Sequence, residues 1–212
     1  MAVDTASPAA SGVGTSVIVP DQASYNRFWA VPALGSGIKE IMLIPHLFLL
    51  YVIYFWLGII QLVAWIPVLF TGKYPSWALN HVAGYTRWTL RVSAYMFGLT
   101  DKYPPFGYTP DGHPIRFDIE APEHPNRFWA IPAIGMGVKA IILIPHIVAL
   151  GVLGAVVGIC QLILWIPVLF TGHFPSWGRK LVGGTLAWGV RVAAYAYGLT
   201  DKYPPFSMEF AG

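Results

Sequence analysis

Two stretches of the chain, Ile41 to Thr71 and Ile141 to Thr171, contain no Asp, Glu, Lys or Arg. Their apolar residues run on without a polar stripe, the pattern of a helix that meets lipid or protein on every side. Crossing the hydrocarbon layer of a bilayer takes about 20 such residues. The pattern therefore predicts two long helices, over residues 38–70 and 138–170, each able to span. At about 1.5 Å per residue, thirty residues reach roughly 45 Å, more than a layer of about 30 Å, so tilt or kinking is expected. Pro45, Pro67, Pro145 and Pro167 supply kink sites, because each removes a backbone donor and frees a carbonyl one turn earlier.

Shorter elements flank these runs. Thr71-Gly72 and Thr171-Gly172 end the long helices, and Ser76 and Ser176 are placed to cap the next ones. A second, less apolar helix is expected over residues 77–99 and 177–199, long enough to return across a bilayer. Before each long helix, Arg27 with Trp29 and Arg127 with Trp129 suit the water–lipid boundary and predict a short interfacial helix lying flat. After each return helix, the hexapeptide Asp-Lys-Tyr-Pro-Pro-Phe occurs at residues 101–106 and again at 201–206. Its prolines stop the helix, and Tyr103, Phe106, Tyr203 and Phe206 are read as headgroup-level anchors, with Asp101 and Lys102 as a solvated pair.

The repeated hexapeptide belongs to a larger repeat. Shifting the chain by one hundred aligns residues 26–106 with 126–206 without a gap, and 48 of the 81 positions are identical. The expected organisation is a disordered tail (1–24), a first helical hairpin (25–106), a linker (107–124), a second hairpin (125–206) and a short tail (207–212). The fold class is an all-α membrane protein of two tandem repeats with four transmembrane helices. Arg27, Lys39, Lys102 and their duplicates, with Arg116 in the linker, favour two copies pointing the same way with both termini in the cytoplasm. If the second helix of each copy lay on the surface instead, the copies would be inverted.

Composition narrows the class. Charged residues make up 11% of the chain and hydrophobic ones 56%, against roughly 25% charged in an average soluble domain. A soluble fold would have to enclose two such runs with little polar surface to do it. The net charge of +3 is small and scattered, which excludes a nucleic-acid partner and leaves a mild attraction to anionic headgroups. The first twenty residues lack the basic start and apolar core of a signal peptide. Cys160 is the single cysteine and lies in an apolar run, so no disulfide forms within the chain.

Four groups of residues are candidates for chemistry. His46 and His146 follow proline one turn inside the long helices; in parallel repeats they could face one another as haem or metal ligands, or each could satisfy a nearby carbonyl. Arg91 and Arg191 fall mid-way along the return helices, where a charge in lipid is costly and needs a partner. The options are Gln61 and Gln161, carbonyls loosened by Pro67 and Pro167, a lipid phosphate, an anionic ligand or another subunit. The copies diverge most where Tyr51, Tyr54, Phe55 and Trp56 become Gly151, Gly154, Ala155 and Val156. With Gly158 these glycines form a groove, filled either by the bulky side chains of the same chain or by a lipid tail, a pigment or a neighbouring helix. No nucleophile–base pair, phosphate-binding loop or metal-spaced cluster is evident, so no enzyme activity is expected.

Ile44-Pro45-His46, Leu69 to Gly72, Tyr74-Pro75, Trp88 with Arg91, Tyr95, and Leu99 to Phe106 resemble a family of small bacterial membrane proteins catalogued as a domain of unknown function. The resemblance covers nearly all of both repeats, and the Tyr-Pro-Pro-Phe ending is its most specific part. It implies a bacterial inner-membrane protein and carries no activity. The first copy departs from the pattern by His81 and Arg87, the second by its glycine groove. The leading expectation is a non-enzymatic subunit that packs against membrane lipids, against other membrane subunits or against a second copy. The rivals are a small oligomeric channel or transporter lined by Arg91, Arg191, Gln61 and Gln161, and a haem or pigment carrier.

Overall fold

A computed structural model describes residues 14–32, 34–109, 112–119, 122, 124–131 and 134–212. The elements are β1 (Thr15–Ile18), a 3-10 turn (Arg27–Ala30), α1 (Gly35–Thr71), α2 (Ser76–Met96), β2 (Arg116–Ile119), a second 3-10 turn (Arg127–Ala130), α3 (Gly135–Thr171) and α4 (Ser176–Ala196). The molecule is mostly helical, with four helices in two repeat-like halves. Two of the helices, α1 and α3, are long and apolar enough to cross a membrane.

Both long helices continue through their prolines, and side chains bond carbonyls close to them. Thr71 Oγ1 donates to Pro67 O and Thr171 Oγ1 to Pro167 O, each at 2.6 Å. Tyr103 donates its hydroxyl to Met42 O at 2.9 Å, in the turn preceding Pro45. Each helix ends on a left-handed glycine, Gly72 (φ 68°) and Gly172 (φ 73°), whose N–H returns to Val68 O or Val168 O, a conformation costly for any residue with a Cβ. The expected N-caps differ: Pro75 and Pro175 hold the cap position in extended geometry, and Ser76 and Ser176 are already helical, so they cap nothing.

The interfacial helix expected before each long helix is a single 3-10 turn, with Asn26 or Asn126 Oδ1 accepting from the N–H of Phe28 or Phe128 at 3.0 Å. The tail and linker also differ from expectation. Residues 1–13 lie outside the described residues, but Thr15–Ile18 within the same segment pairs antiparallel with Arg116–Ile119, from Thr15↔Ile119 to Ile18↔Arg116. The last residues join on the other edge of β1, where Val19 N donates to Ala211 O (2.8 Å) and Ala211 N to Val17 O (2.9 Å). A small ribbon thus joins the two ends of the described chain to the segment before α3.

The two halves run in opposite directions, which corrects the expectation of copies pointing the same way. The turn before α1 meets the end of α3, where Tyr25 N donates to Gly172 O at 2.8 Å. The turn before α3 meets the end of α1, where a Cβ on Gly72 would lie 3.0 Å from Arg127 Nη2. At 37 residues α1 is about 55 Å long, so equivalent points of the two copies stand at opposite ends of the molecule. The charge count behind the parallel reading fails for a physical reason. Lys39 and Lys139 are buried, and Arg27 and Arg127 lie against helix C-termini, where a cation complements the helix dipole.

Around α2 the neighbours separate by face. Trp88, Val92 and Tyr95 join Leu43 and Leu50 of α1. Ala83, Leu90 and Ala94 enter a central cluster with Ala187, Val190 and Ala194 of α4 and with Val17, Val19, Ile115 and Phe117 of the ribbon region. Gly84 lies against Tyr108, and Arg87 Nε donates to Phe117 O at 2.8 Å.

Candidate functional site: enclosed polar pairs behind an open apolar face

The most enclosed polar groups of the long helices are His46 and His146, both 0% exposed. Trp88 Nε1 donates to His46 Nδ1, and Trp188 Nε1 to His146 Nδ1, each at 2.9 Å. Phe106 and Phe206 stack on the imidazoles at 3.9 Å, and Tyr103 and Tyr203 meet them edge-on. The second half of the hexapeptide therefore folds back as a lid, rather than serving only as a boundary anchor. Each histidine is closed off within its own repeat, so the two do not face one another. Among the described residues no three His, Cys, Asp or Glu side chains converge to hold a metal.

Asp101 is no partner of Lys102. Its Oδ2 accepts from Asn26 N (2.6 Å) and Gln22 Nε2 (3.0 Å), and its Oδ1 lies 3.6 Å from Lys39 Nζ, while Lys102 Nζ donates to Gly112 O. Asp201 accepts from Asn126 N in the same way. Lys39 is held over the Tyr95 ring at 4.7 Å, and Lys139 over Tyr195 at 4.6 Å with a bond to Tyr195 O. Trp29 and Trp129 flank the same two ammonium groups at 5.5 Å. These anchors are thus packed into the fold as cation–π walls.

Arg91 and Arg191 find their partners within the chain, but not where the sequence placed them. Arg91 Nη2 donates to Gly107 O (2.6 Å), and Arg191 Nη2 to Ser207 O (3.0 Å) and Glu209 O (2.7 Å). These carbonyls follow the hexapeptide and are unrelated to Pro67 or Pro167. Gln61 and Gln161 do not meet the arginines. Gln61 Nε2 crosses to Tyr197 O (2.6 Å) and Gln161 Nε2 to Phe97 O (3.0 Å), so each satisfies a carbonyl at the end of the other half's second helix.

Two clefts flank these crossings. One, of about 150 Å³, lies beside Gln61, Tyr74, Trp129 and Lys139; the other, of about 520 Å³, beside Tyr25, Trp29, Lys39, Gly158 and Gln161. Burial pushes the Tyr74 phenol up to about 12. Tyr25 is likewise pushed up to about 12, first by burial and then by Asp21. Both phenols therefore stay protonated donors, Tyr74 to Gln61 Oε1 (3.1 Å) and Tyr25 to Leu99 O (3.3 Å).

The outward face of α1 and α3 is apolar and open. Phe48, Tyr51, Phe55, Leu62 and Phe70 are each more than half exposed, as are Ile141, Val152, Ile159, Leu162 and Phe170. A Cβ built on Gly151, Gly154 or Gly158 would meet nothing within 4 Å. The bulky residues of the first copy thus do not fill the glycine groove of the second; both point outward.

The partnerships of Trp88, Trp188, Asp101, Asp201 and Asn26 escape the sequence reading. The available signal was recurrence, since Pro-His, Trp-x-x-Arg and Tyr-Pro-Pro-Phe all return after one hundred residues. Recurrence marks residues the fold needs without saying which of them touch.

No curated protein and no solved structure matches this chain. A family model described as a domain of unknown function (DUF4389) matches it twice, over residues 35–107 and 134–208. Those spans hold the long helix, the second helix and the aromatic lid of each half, so the chain belongs to this family as a tandem duplication.

Proposed function

We propose that this chain is a non-enzymatic, membrane-embedded protein of the bacterial inner membrane that acts as an accessory or structural element, packing its open apolar face against lipids and neighbouring membrane subunits. The observation that carries this reading is the exposure of α1 and α3: only 17% and 11% of their most apolar windows are buried in the fold. A core helix of a water-soluble protein would be covered. An uncovered face of this size marks an interaction surface. Further support comes from the polar groups. Trp88 holds His46 through Nδ1 with Phe106 stacked on the ring, and the arginines and crossing glutamines bond the molecule's own carbonyls, which suits a rigid scaffold.

The test is fractionation followed by gentle purification. Membranes washed with alkaline carbonate are expected to retain the chain, and mild-detergent extracts are expected to carry larger membrane subunits or tightly held lipid with it. Recovery in the aqueous supernatant after lysis would overturn the reading.

A further inference from the structure

Resting on that reading, we infer that α1 and α3 lie in the plane of a single lipid leaflet and do not cross the bilayer, with the strand ribbon in the water above them. The first observation is where the ribbon sits. The ribbon and the segments beside it cover the middle of α2 and the first half of α4: Gly84 against Tyr108, Arg87 to Phe117 O and Arg91 to Gly107 O on one helix, Arg179 to Val19 O, Gly183 against Phe210 and Arg191 to Glu209 O on the other. If the helices stood upright in a bilayer, this ribbon would lie at mid-depth. Arg116 and Asp118 of β2 are exposed there, on a strand that lies to one side of β1 while the Ala211 segment lies to the other. Exposed charges of this kind are costly in hydrocarbon.

The second observation is length. Apolar residues stay exposed from Ile41 to Phe70, roughly 45 Å of helix. Fitting that into a layer of about 30 Å takes a tilt near 48°, outside the usual range for spanning helices. A helix lying in the plane has no such mismatch. The third is the opposed direction of the halves. With α1 and α3 flat, both their ends reach the same depth, so Arg27, Arg127 and Lys73 form a cationic rim at headgroup level. That rim suits a leaflet bearing anionic lipid. The aromatic side chains Phe28, Phe128, Trp77 and Trp177, all exposed at the same ends, belong at that level too.

Labelling from one side tests the arrangement. In a Cys160→Ser background, Lys73→Cys, His173→Cys and Asp118→Cys are reacted with a membrane-impermeant maleimide in sealed vesicles of known orientation. All three are expected to react from the same side, in membranes that keep the protein through a carbonate wash. A second measurement needs no substitution: an impermeant amine reagent, read by mass spectrometry, is expected to modify Lys73 and Lys180 from one side only. Reaction of positions 73 and 173, or of Lys73 and Lys180, from opposite sides would show that the helices span and would overturn the inference. So would reaction of position 118 from the side opposite to both 73 and 173. Release by carbonate would instead defeat the membrane reading on which the inference rests.

Discussion

Trp88 and Trp188 govern the histidines they face. An indole N–H only donates, so its bond to Nδ1 leaves the proton of a neutral imidazole on Nε2. Replacing Trp88 with Phe keeps an aromatic ring but strips His46 of its one hydrogen-bond partner. The expected result is a loss of about 1–3 kcal/mol, the cost of leaving a buried polar group unsatisfied, read as a lower midpoint in thermal unfolding in detergent. Trp188→Phe should behave alike. His113, in the segment leading to β2, gives a pH prediction. It is 3% exposed, and burial holds its imidazole below the ordinary histidine value; its Nδ1 accepts from Ile115 N at 3.2 Å. Its folded-state value lies below that of the unfolded chain. Its neutral form therefore costs nothing above a pH of about 6.5, and stability is lost as pH falls from there through the lower folded value. Unfolding midpoints measured between about pH 7.5 and 5 should fall with acidity, and His113→Asn should give a shallower decline.

At the scale of elements, the long helices depend on how they begin as well as on what they bury. Gly35 and Gly135 enter their helices so close to the preceding 3-10 turn that a Cβ would overlap the carbonyl oxygen of Phe28 or Phe128. Gly37 and Gly137, two residues later, would meet nothing within 4 Å. Two alanine substitutions of the same kind should then act in opposite directions. Gly35→Ala should destabilise by about 1–3 kcal/mol through forced backbone displacement, whereas Gly37→Ala should be neutral or stabilise by up to about 1 kcal/mol through helix propensity. Equal effects in thermal or denaturant unfolding would show that the close approach does not constrain the turn. The contrast also shows what could be read in advance. The ends of the long helices were legible because Gly72 and Gly172 punctuate an uninterrupted apolar pattern. Strands β1 and β2 were not, because each is four residues long and its partner lies about a hundred residues away, beyond the reach of local periodicity. Asp101 beside Lys102 looked like a pair in sequence, yet the fold-back of the hexapeptide gives Asp101 to Asn26 and Lys39.

For the whole molecule, the duplication was plain in the sequence while the direction of its copies was not, because antiparallel packing is written in contacts between distant residues. Gln61 and Gln161 are the clearest of these. The sequence offers them as partners for the arginines, yet each reaches across to the other half. Their positions also separate two pictures of the protein. In a channel built on both glutamines and both arginines, removing one group alters the environment of the others, and a double substitution departs from the sum of the singles. In the observed arrangement Gln61 lies beside Tyr197, and Gln161 beside Phe97 near Lys39, so the two crossings are about 30 Å apart along α1. Sites that far apart, with no shared partner, add to within about 0.5 kcal/mol. Gln161→Leu should cost about 1–3 kcal/mol by leaving Phe97 O unsatisfied, Gln61→Leu should cost less because the Tyr74 hydroxyl also reaches Tyr197 O at 3.4 Å, and the double variant should lose the sum. Because each crossing ties a different end of the assembly, limited proteolysis of a single variant should open first at the end whose crossing is missing: the loop after α4 in Gln61→Leu, and the loop after α2 in Gln161→Leu. A coupling of more than about 1 kcal/mol between the two, or cleavage at the same loop in both variants, would mean that the glutamines share one site and that the crosswise arrangement of the halves is wrong.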